Sequence, residues 1–305
     1  MSEKPMSLLV TGSIGIDSVD TPTGSVTDVL GGSAVYFAAA ASFFVPVRLV
    51  AAVGADVPAG LGNVLEHFKI DTRGFEIRAG SNTFRWHGKY RRNMNERETL
   101  AVQPNVLAEA LPPVPDAYRD SEYVFLANTD PGSQLEFRRQ FPHCKLCVAD
   151  TMDLWISTQC AALTDLLRNI DGLVLNNEEA EQLTGEPNII RAAELIVQMG
   201  PKFVIVKKGE HGALVEHDGV KVVLPAFPAS QVVDPTGAGD SFAGGVMGHL
   251  AATGDLSHEN LRIAMAWGTV VASFTIESFS LDRLMRLTRA ELNERFEHYR
   301  SMLAI

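Results

Sequence analysis

Short apolar runs alternate along the chain with longer stretches of helical period. Residues 7–10, 48–53, 123–127, 145–149, 172–175 and 203–206 are too short for helices, and most stop at Gly, Asp, Asn or Lys, so they read as buried strands. Between them, 33–44, 60–68, 133–140, 153–168, 178–183 and 191–199 read as helices. The alternation predicts an α/β fold: a mostly parallel sheet with helices on both faces. Ligands in such sheets bind at the carboxyl ends of the strands. Two segments break the rhythm. Residues 21–30 and 75–100 are rich in Thr, Val, Arg and aromatics with Gly and Asn punctuation, and read as antiparallel hairpins forming a small projecting sheet. A helix starting at Asp240, another over 260–275 and an amphipathic stretch over 281–303 complete the pattern.

Composition narrows the function classes. The chain has 305 residues, 46% apolar and 21% charged, which is a globular balance. Its net charge of −11 makes it a poor generic partner for nucleic acid or an anionic membrane surface. Residues 29–47 carry no formal charge over 19 residues, just long enough to span a bilayer, but Gly31, Gly32, Ser33, Ser42 and Pro46 fit a buried helix better. The start, residues 1–12, has an acid and few apolar residues and does not read as a signal peptide. Three cysteines imply no disulfide framework and point to a reducing compartment, the cytoplasm. Cys144 and Cys147 fall on a predicted strand, where residues three apart face opposite sides, so they are not expected to hold zinc.

The chemistry concentrates in one string, Val232-Val233-Asp234-Pro235-Thr236-Gly237-Ala238-Gly239-Asp240-Ser241-Phe242-Ala243-Gly244-Gly245. An extended run enters a Gly-Ala-Gly turn that opens directly onto a helix. Two glycines around one small residue let consecutive amides point into one concavity at the positive end of a helix dipole, which makes an anion hole. Asp240 stands at its mouth. A carboxylate there repels a ground-state anion, and accepting a proton from an attacking hydroxyl would give it a task. A tight turn with a favourable first-turn acid is the plainer reading. Asn176 and Glu179 lie three apart at a helix start after a strand and can face one site as hard oxygen ligands for magnesium; alternatively they belong to a solvated first turn. Asp17 follows a Gly-Ser-x-Gly turn and reads equally as a ligand or a loop acid. Gly31-Gly32 reads equally as a hinge or a helix start. No G-x-x-x-x-G-K-[ST] loop and no complete G-x-G-x-x-G is present.

The Asp234–Gly245 string strongly resembles the signature of the ribokinase-like family of carbohydrate and nucleoside kinases, the PfkB family. The resemblance extends over nearly the whole chain: Gly12-Ser13-Ile14-Gly15-Ile16-Asp17 resembles the family's substrate-binding start, Gly31-Gly32 its diglycine, and Asn176-Asn177-Glu178-Glu179 its N-x-x-E motif. It implies a three-layer α/β/α domain over 1–305 with a small β-sheet lid from about 18–30 and 75–101. It further implies an ATP-dependent kinase of a small sugar, with Asp240 as catalytic base and Gly237, Ala238 and Gly239 as the anion hole. Asp17, Gly31, Gly32 and Tyr36 would meet the substrate. Asn176, Lys207, Gly209 and Thr236 would meet the nucleotide, Asn176 and Glu179 would hold Mg2+, and Asp234 a monovalent cation such as K+. Two departures matter. Tyr36 stands where sugar kinases often carry Asn, which favours a nucleoside as the alternative substrate. Lys207 stands where the family often carries Thr, and either touches a phosphate or is exposed. A catalytically silent sugar- or nucleotide-binding regulator is the third reading. Residues 84–98 are net +3 through Arg85, Lys89, Arg91, Arg92 and Arg97, suited to phosphate contact or to protecting a strand edge. Phe84, Trp86 and Tyr90 can stack on a base or sugar, or pack a homodimer through the lid, as family members with clasped lids do.

Overall fold

The computed structural model describes residues 7–304, so the signal-peptide reading falls largely on residues outside this range. The strands are β1 (Leu8–Thr11), β2 (Gly15–Thr21), β3 (Gly24–Gly31), β4 (Val47–Gly54), β5 (Asp71–Arg78), β6 (Phe84–Tyr90), β7 (Arg97–Gln103), β8 (Tyr123–Leu126), β9 (Leu146–Asp150), β10 (Gly172–Asn176), β11 (Phe203–Lys207), β12 (Ala213–His217) and β13 (Val220–Leu224). The helices are α1 (Ser33–Ala41), α2 (Leu61–His67), α3 (Pro131–Arg139), α4 (Asp153–Thr158), α5 (Cys160–Leu167), α6 (Asn177–Thr184), α7 (Ile189–Met199), α8 (Ala238–Thr253), α9 (His258–Thr275), α10 (Asp282–Arg286) and α11 (Arg289–Leu303).

Nine strands form one sheet in the order β13-β12-β11-β10-β9-β8-β1-β4-β5, parallel from β11 to β5. β1, β8 and β9 are buried at every residue, because helices cover both faces. Leu8 and Val10 face a core shared with α1, α8 and α9. Leu9 points the other way, into a core with Phe137, Leu163, Leu167 and Ile196. Gly244 and Gly248 of α8 admit the backbone of α1, and Gly245 admits Gly268 of α9, so these helices pack closely behind the site. No helix among the described residues is long and apolar enough to cross a membrane, and the uncharged stretch 29–47 holds the buried α1.

Four strands form the second sheet, in the order β3-β2-β6-β7. Its two hairpins are antiparallel, but β2 and β6 join them in parallel register. The expected second hairpin therefore splits. Residues 75–78 belong to β5, which pairs with β4 at the edge of the large sheet, and β6 and β7 alone supply that half of the lid. The first hairpin starts earlier than expected, at Gly15, which puts Asp17 on a lid strand.

Three other expectations change. The helix expected over 153–168 breaks at Gln159, where the Ser157 and Thr158 hydroxyls donate back to the Asp153 and Leu154 carbonyls, an alternative to continued helical bonding. The β12–β13 hairpin adds an antiparallel edge that the apolar runs did not reveal. Cys144 precedes β9 and is not on the strand, so its thiol meets that of Cys147 instead of facing away from it. Among the described residues, one group of three His, Cys, Asp and Glu side chains is close enough to share an ion, His217, Asp218 and His258, at the opposite end of β12 from the carboxyl end of β11.

Candidate active site

The turn ahead of α8 is the centre of the site. Gly237 caps the helix with φ 76°, a left-handed conformation that costs an L side chain about 1–2 kcal/mol. Its second constraint is Tyr36, fully buried on α1, whose ring lies 2.4 Å from where a Gly237 Cβ would sit. Tyr36 thus forms the floor of the turn. Gly237→Ala should lose stability by at least that 1–2 kcal/mol and turnover with it, checked by thermal melting and activity; an unchanged melt would contradict the close approach.

The amides do not act as the three equivalent donors expected. Ala238 N–H donates to Pro235 O at 3.1 Å, and the Asp240 amide lies against its own carboxylate, which it helps to keep ionised. The Gly237 and Gly239 amides have no hydrogen-bond partner among the described residues, so they are the donors free for an anion. Lys207, at the carboxyl end of β11, adds a charge at the same place: its Nζ lies 2.8 Å from the position of a Gly239 Cβ. The Lys207 ammonium is half-buried at the anion hole, not on the outer surface.

Several carboxylates converge around it. Asp240 is held above the ordinary aspartate range by burial, an effect opposed by the charges of Lys207 and Arg97. Asp150 ends β9, fully inside, with Oδ1 unpartnered; burial and the nearby Asp240 and Glu179 push it well up, and Lys207 pulls the other way. The sequence reading missed Asp150 because it ended the strand at Ala149, although an acid closing a buried parallel strand is itself a signal.

Asn176 and Glu179 do more than face the site. The Asn176 side chain accepts from Glu179 N–H and the Glu179 carboxylate accepts from Asn176 N–H, both at 2.7 Å, a reciprocal capping box for α6. This fixes both side chains at the strand end and leaves the second Glu179 oxygen without a hydrogen-bond partner among the described residues. Burial raises the Glu179 carboxyl, opposed by Lys207. The hard oxygen set of Glu179, Asn176 and the orphaned Asp150 Oδ1 fits a magnesium ion, directly or through water.

The lid supplies the opposite wall. In the β2–β6 register Asp17 pairs with Trp86 and Val19 with Gly88; in β6–β7 Gly88 pairs with Thr99 and Tyr90 with Arg97. Directly paired residues share a face, so Asp17, Trp86, Tyr90 and Arg97 lie on one side of the lid. That side meets the body: the Tyr90 hydroxyl accepts from Thr236 Oγ1 at 3.3 Å, beside the anion-hole turn. Asp17 is 5% exposed and its Oδ1 has no partner. Burial, then the Asp234 and Asp240 charges, push its carboxyl up to about 8. Gly31 is required there, since a Cβ would sit 1.9 Å from Asp17 Oδ2, and Gly32, at φ 105°, would collide with the Ser13 carbonyl. Asp234 is buried below, accepting from Thr236 N–H at 2.9 Å. Gly209 lies farther out, against Asn95 of the lid tip, which donates to Glu210 at 2.9 Å. The sequence-derived residues thus gather at one cleft, with Gly209 at its rim and Tyr36 beneath it.

Residues 8–285 match the pfkB family of carbohydrate kinases. The chain is 28% identical over 250 residues to a cytidine kinase of Thermococcus kodakarensis, covering 79% of this chain and 87% of the other. An aminoimidazole riboside kinase from Salmonella enterica, solved with aminoimidazole riboside and an ATP analogue, superposes with a TM-score of 0.78 at 17% identity, over 95% of this chain and 99% of that one. A nucleoside kinase from Methanocaldococcus jannaschii gives 0.77 at 22% identity, over 96% and 99%.

Proposed function

The chain belongs to the pfkB family of carbohydrate kinases, phosphotransferases that act on hydroxyl groups, and from that premise we propose that it transfers the γ-phosphoryl group of ATP to a hydroxyl of a small sugar or sugar-like substrate. The observation that carries this reading is the placement of Asp240 at the mouth of the Gly237 and Gly239 amides, with Asp17 facing it from the lid. Asp17 accepts hydrogen bonds from substrate hydroxyls and presents one of them to Asp240. As the acceptor oxygen bonds to phosphorus and the bond to ADP breaks, the hydroxyl proton passes to Asp240. The two free amides and Lys207 face the charge on the transferring group, where preorganised donors contribute most. Glu179, Asn176 and Asp150 would hold magnesium, which supplies charge neutralisation at the phosphates. Gly209 and Thr236 flank the nucleotide. Asp234, a carboxylate 1% exposed with no ion pair among the described residues, is assigned to a monovalent cation such as K+.

A nucleoside acceptor is the second reading. Trp86 on the lid face offers an aromatic surface for a base, and the match to cytidine kinase runs over most of that protein. We also assign a homodimer through the lid: β7 is an edge strand exposed at every residue, with Leu100 and Val102 45% and 47% exposed. Three free cysteines fit a reducing compartment, the cytoplasm.

A panel of sugars and nucleosides with ATP and magnesium, read as ADP formation, tests the reading. Turnover with one class and not the other identifies the acceptor. Thermal stabilisation by a ligand with no ADP from any acceptor would replace the enzyme by a binding regulator.

A further inference from the structure

The lid cations are not equivalent. Arg85 is bound by Asp28 and Asp56, and Arg91 by Glu96. Lys89 pairs in register with Asp20 on the outer face. Arg97 forms no ion pair or hydrogen bond among the described residues, although it heads β7 in an acidic protein. It is exposed, yet it is not loose. It stands directly opposite Tyr90, whose hydroxyl meets Thr236 at the anion-hole turn. Its guanidinium lies 5.6 Å from the centre of the Trp86 ring, and Trp86 is itself pinned: its ring covers Gly88, where any Cβ would sit 1.9 Å away, and its Nε1 donates to Thr99 Oγ1 at 3.2 Å. A cation held on an aromatic shelf, aimed at the cleft and left without a counter-ion, is prepared for an anion that arrives from outside. The charge of Arg97 is felt by the two carboxylates nearest the phosphoryl path, Asp240 and Glu179.

We propose that Arg97 is the lid's phosphoryl-binding side chain, closing on the transferring γ-phosphoryl group from the face opposite Lys207 and the Gly237 and Gly239 amides. This rests on the kinase reading above and adds a residue to it. The lid carries both the substrate acid, Asp17, and this cation on one face, so seating the acceptor also seats the charge. In the transfer step the bond from phosphorus to ADP breaks, the bond to the acceptor oxygen forms, the acceptor proton goes to Asp240, and Arg97 keeps its own proton throughout.

The test compares wild type with Arg97→Ala, Arg97→Lys and, as a control, Arg92→Ala, an exposed lid arginine outside this constellation. With the best acceptor of the panel, Arg97→Ala should lower kcat about 100-fold with little change in the acceptor KM. Arg97→Lys should recover part of the loss, added guanidinium should partly rescue the alanine variant, and Arg92→Ala should match wild type. In calorimetric titrations without acceptor, wild type should prefer a non-hydrolysable ATP analogue over ADP, and Arg97→Ala should lose about tenfold of that preference while binding ADP normally. A kcat within threefold of wild type together with an unchanged preference overturns the proposal. So does a defect confined to the KM of phosphorylated acceptors, which would move the bound phosphate to the substrate. If wild type forms no ADP with any acceptor, the kinase reading fails, and the titrations still decide whether Arg97 meets the γ-phosphoryl group.

Discussion

Asp240→Asn should lower kcat by about 10²–10⁴-fold while leaving the fold intact. Asparagine keeps the shape and the helix position but cannot take a proton from the acceptor. The fold should survive because Asp240 is a burden on it: burial holds its carboxyl above the ordinary aspartate range, so neutralising it removes a poorly solvated charge. The transition state of phosphoryl transfer is loose, so positioning by the two amides, Lys207 and the metal persists and leaves residual turnover. Steady-state kinetics beside a thermal melt checks both halves. Near-normal turnover would remove Asp240 from the role of base, and a collapsed melt would make the activity loss uninformative.

Asp17→Asn should do two things in opposite directions. It should lower kcat/KM by about 10²-fold or more, because a carboxyl group that can both donate to and accept from substrate hydroxyls, and can ionise when they bind, is replaced by an amide with one acceptor oxygen. It should also stabilise the protein at alkaline pH. In the folded chain Asp17 titrates at about 8; unfolded, it returns to the usual aspartate value of about 3.9. Between those values the folded chain holds a proton that the unfolded chain has released, so wild-type stability falls as pH rises, at a limiting slope of about 1.4 kcal/mol per pH unit. The asparagine variant lacks that contribution. Its melting temperature should match wild type near pH 4 and pull ahead towards pH 8. A difference that stays constant with pH would mean that Asp17 is already ionised in the folded protein.

The string from Asp234 to Gly245 was readable because its meaning is local. A glycine turn opening onto a helix fixes amides and carboxylate within a few residues, and no distant contact is needed to place them. What it hid was the use of the Ala238 amide by Pro235 and the contact of the Asp240 amide with its own side chain, details of backbone geometry that residue types do not announce. The spacing of Asn176 and Glu179 was also readable, but their mutual capping was not proposed, although Asn followed three residues later by Glu announces it. Lid boundaries were the least legible. β5 is an edge strand whose residues, Gly74 apart, are half-buried or exposed with no regular alternation, and such a segment looks the same on a lid as on the rim of the main sheet. Asp150 is absent from the sequence reading, and Arg97 is indistinguishable there from the four other lid cations, for a related reason: each is distant in sequence from the turn it serves, and only the register of β6 on β7 and the end of β9 bring them to it. Tyr36 shows the reverse case: its position suggests the substrate, and nothing in the sequence suggests that its ring lies under Gly237.

The most direct test of the central claim follows the phosphorus. Wild-type protein, ATP, magnesium and the best acceptor of the panel are observed by 31P magnetic resonance. The account predicts that the γ resonance of ATP declines as one phosphomonoester resonance grows in equal amount, alongside ADP, with Asp240→Asn almost silent. Appearance of the γ-phosphate as inorganic phosphate, or equal transfer by both proteins, would contradict it.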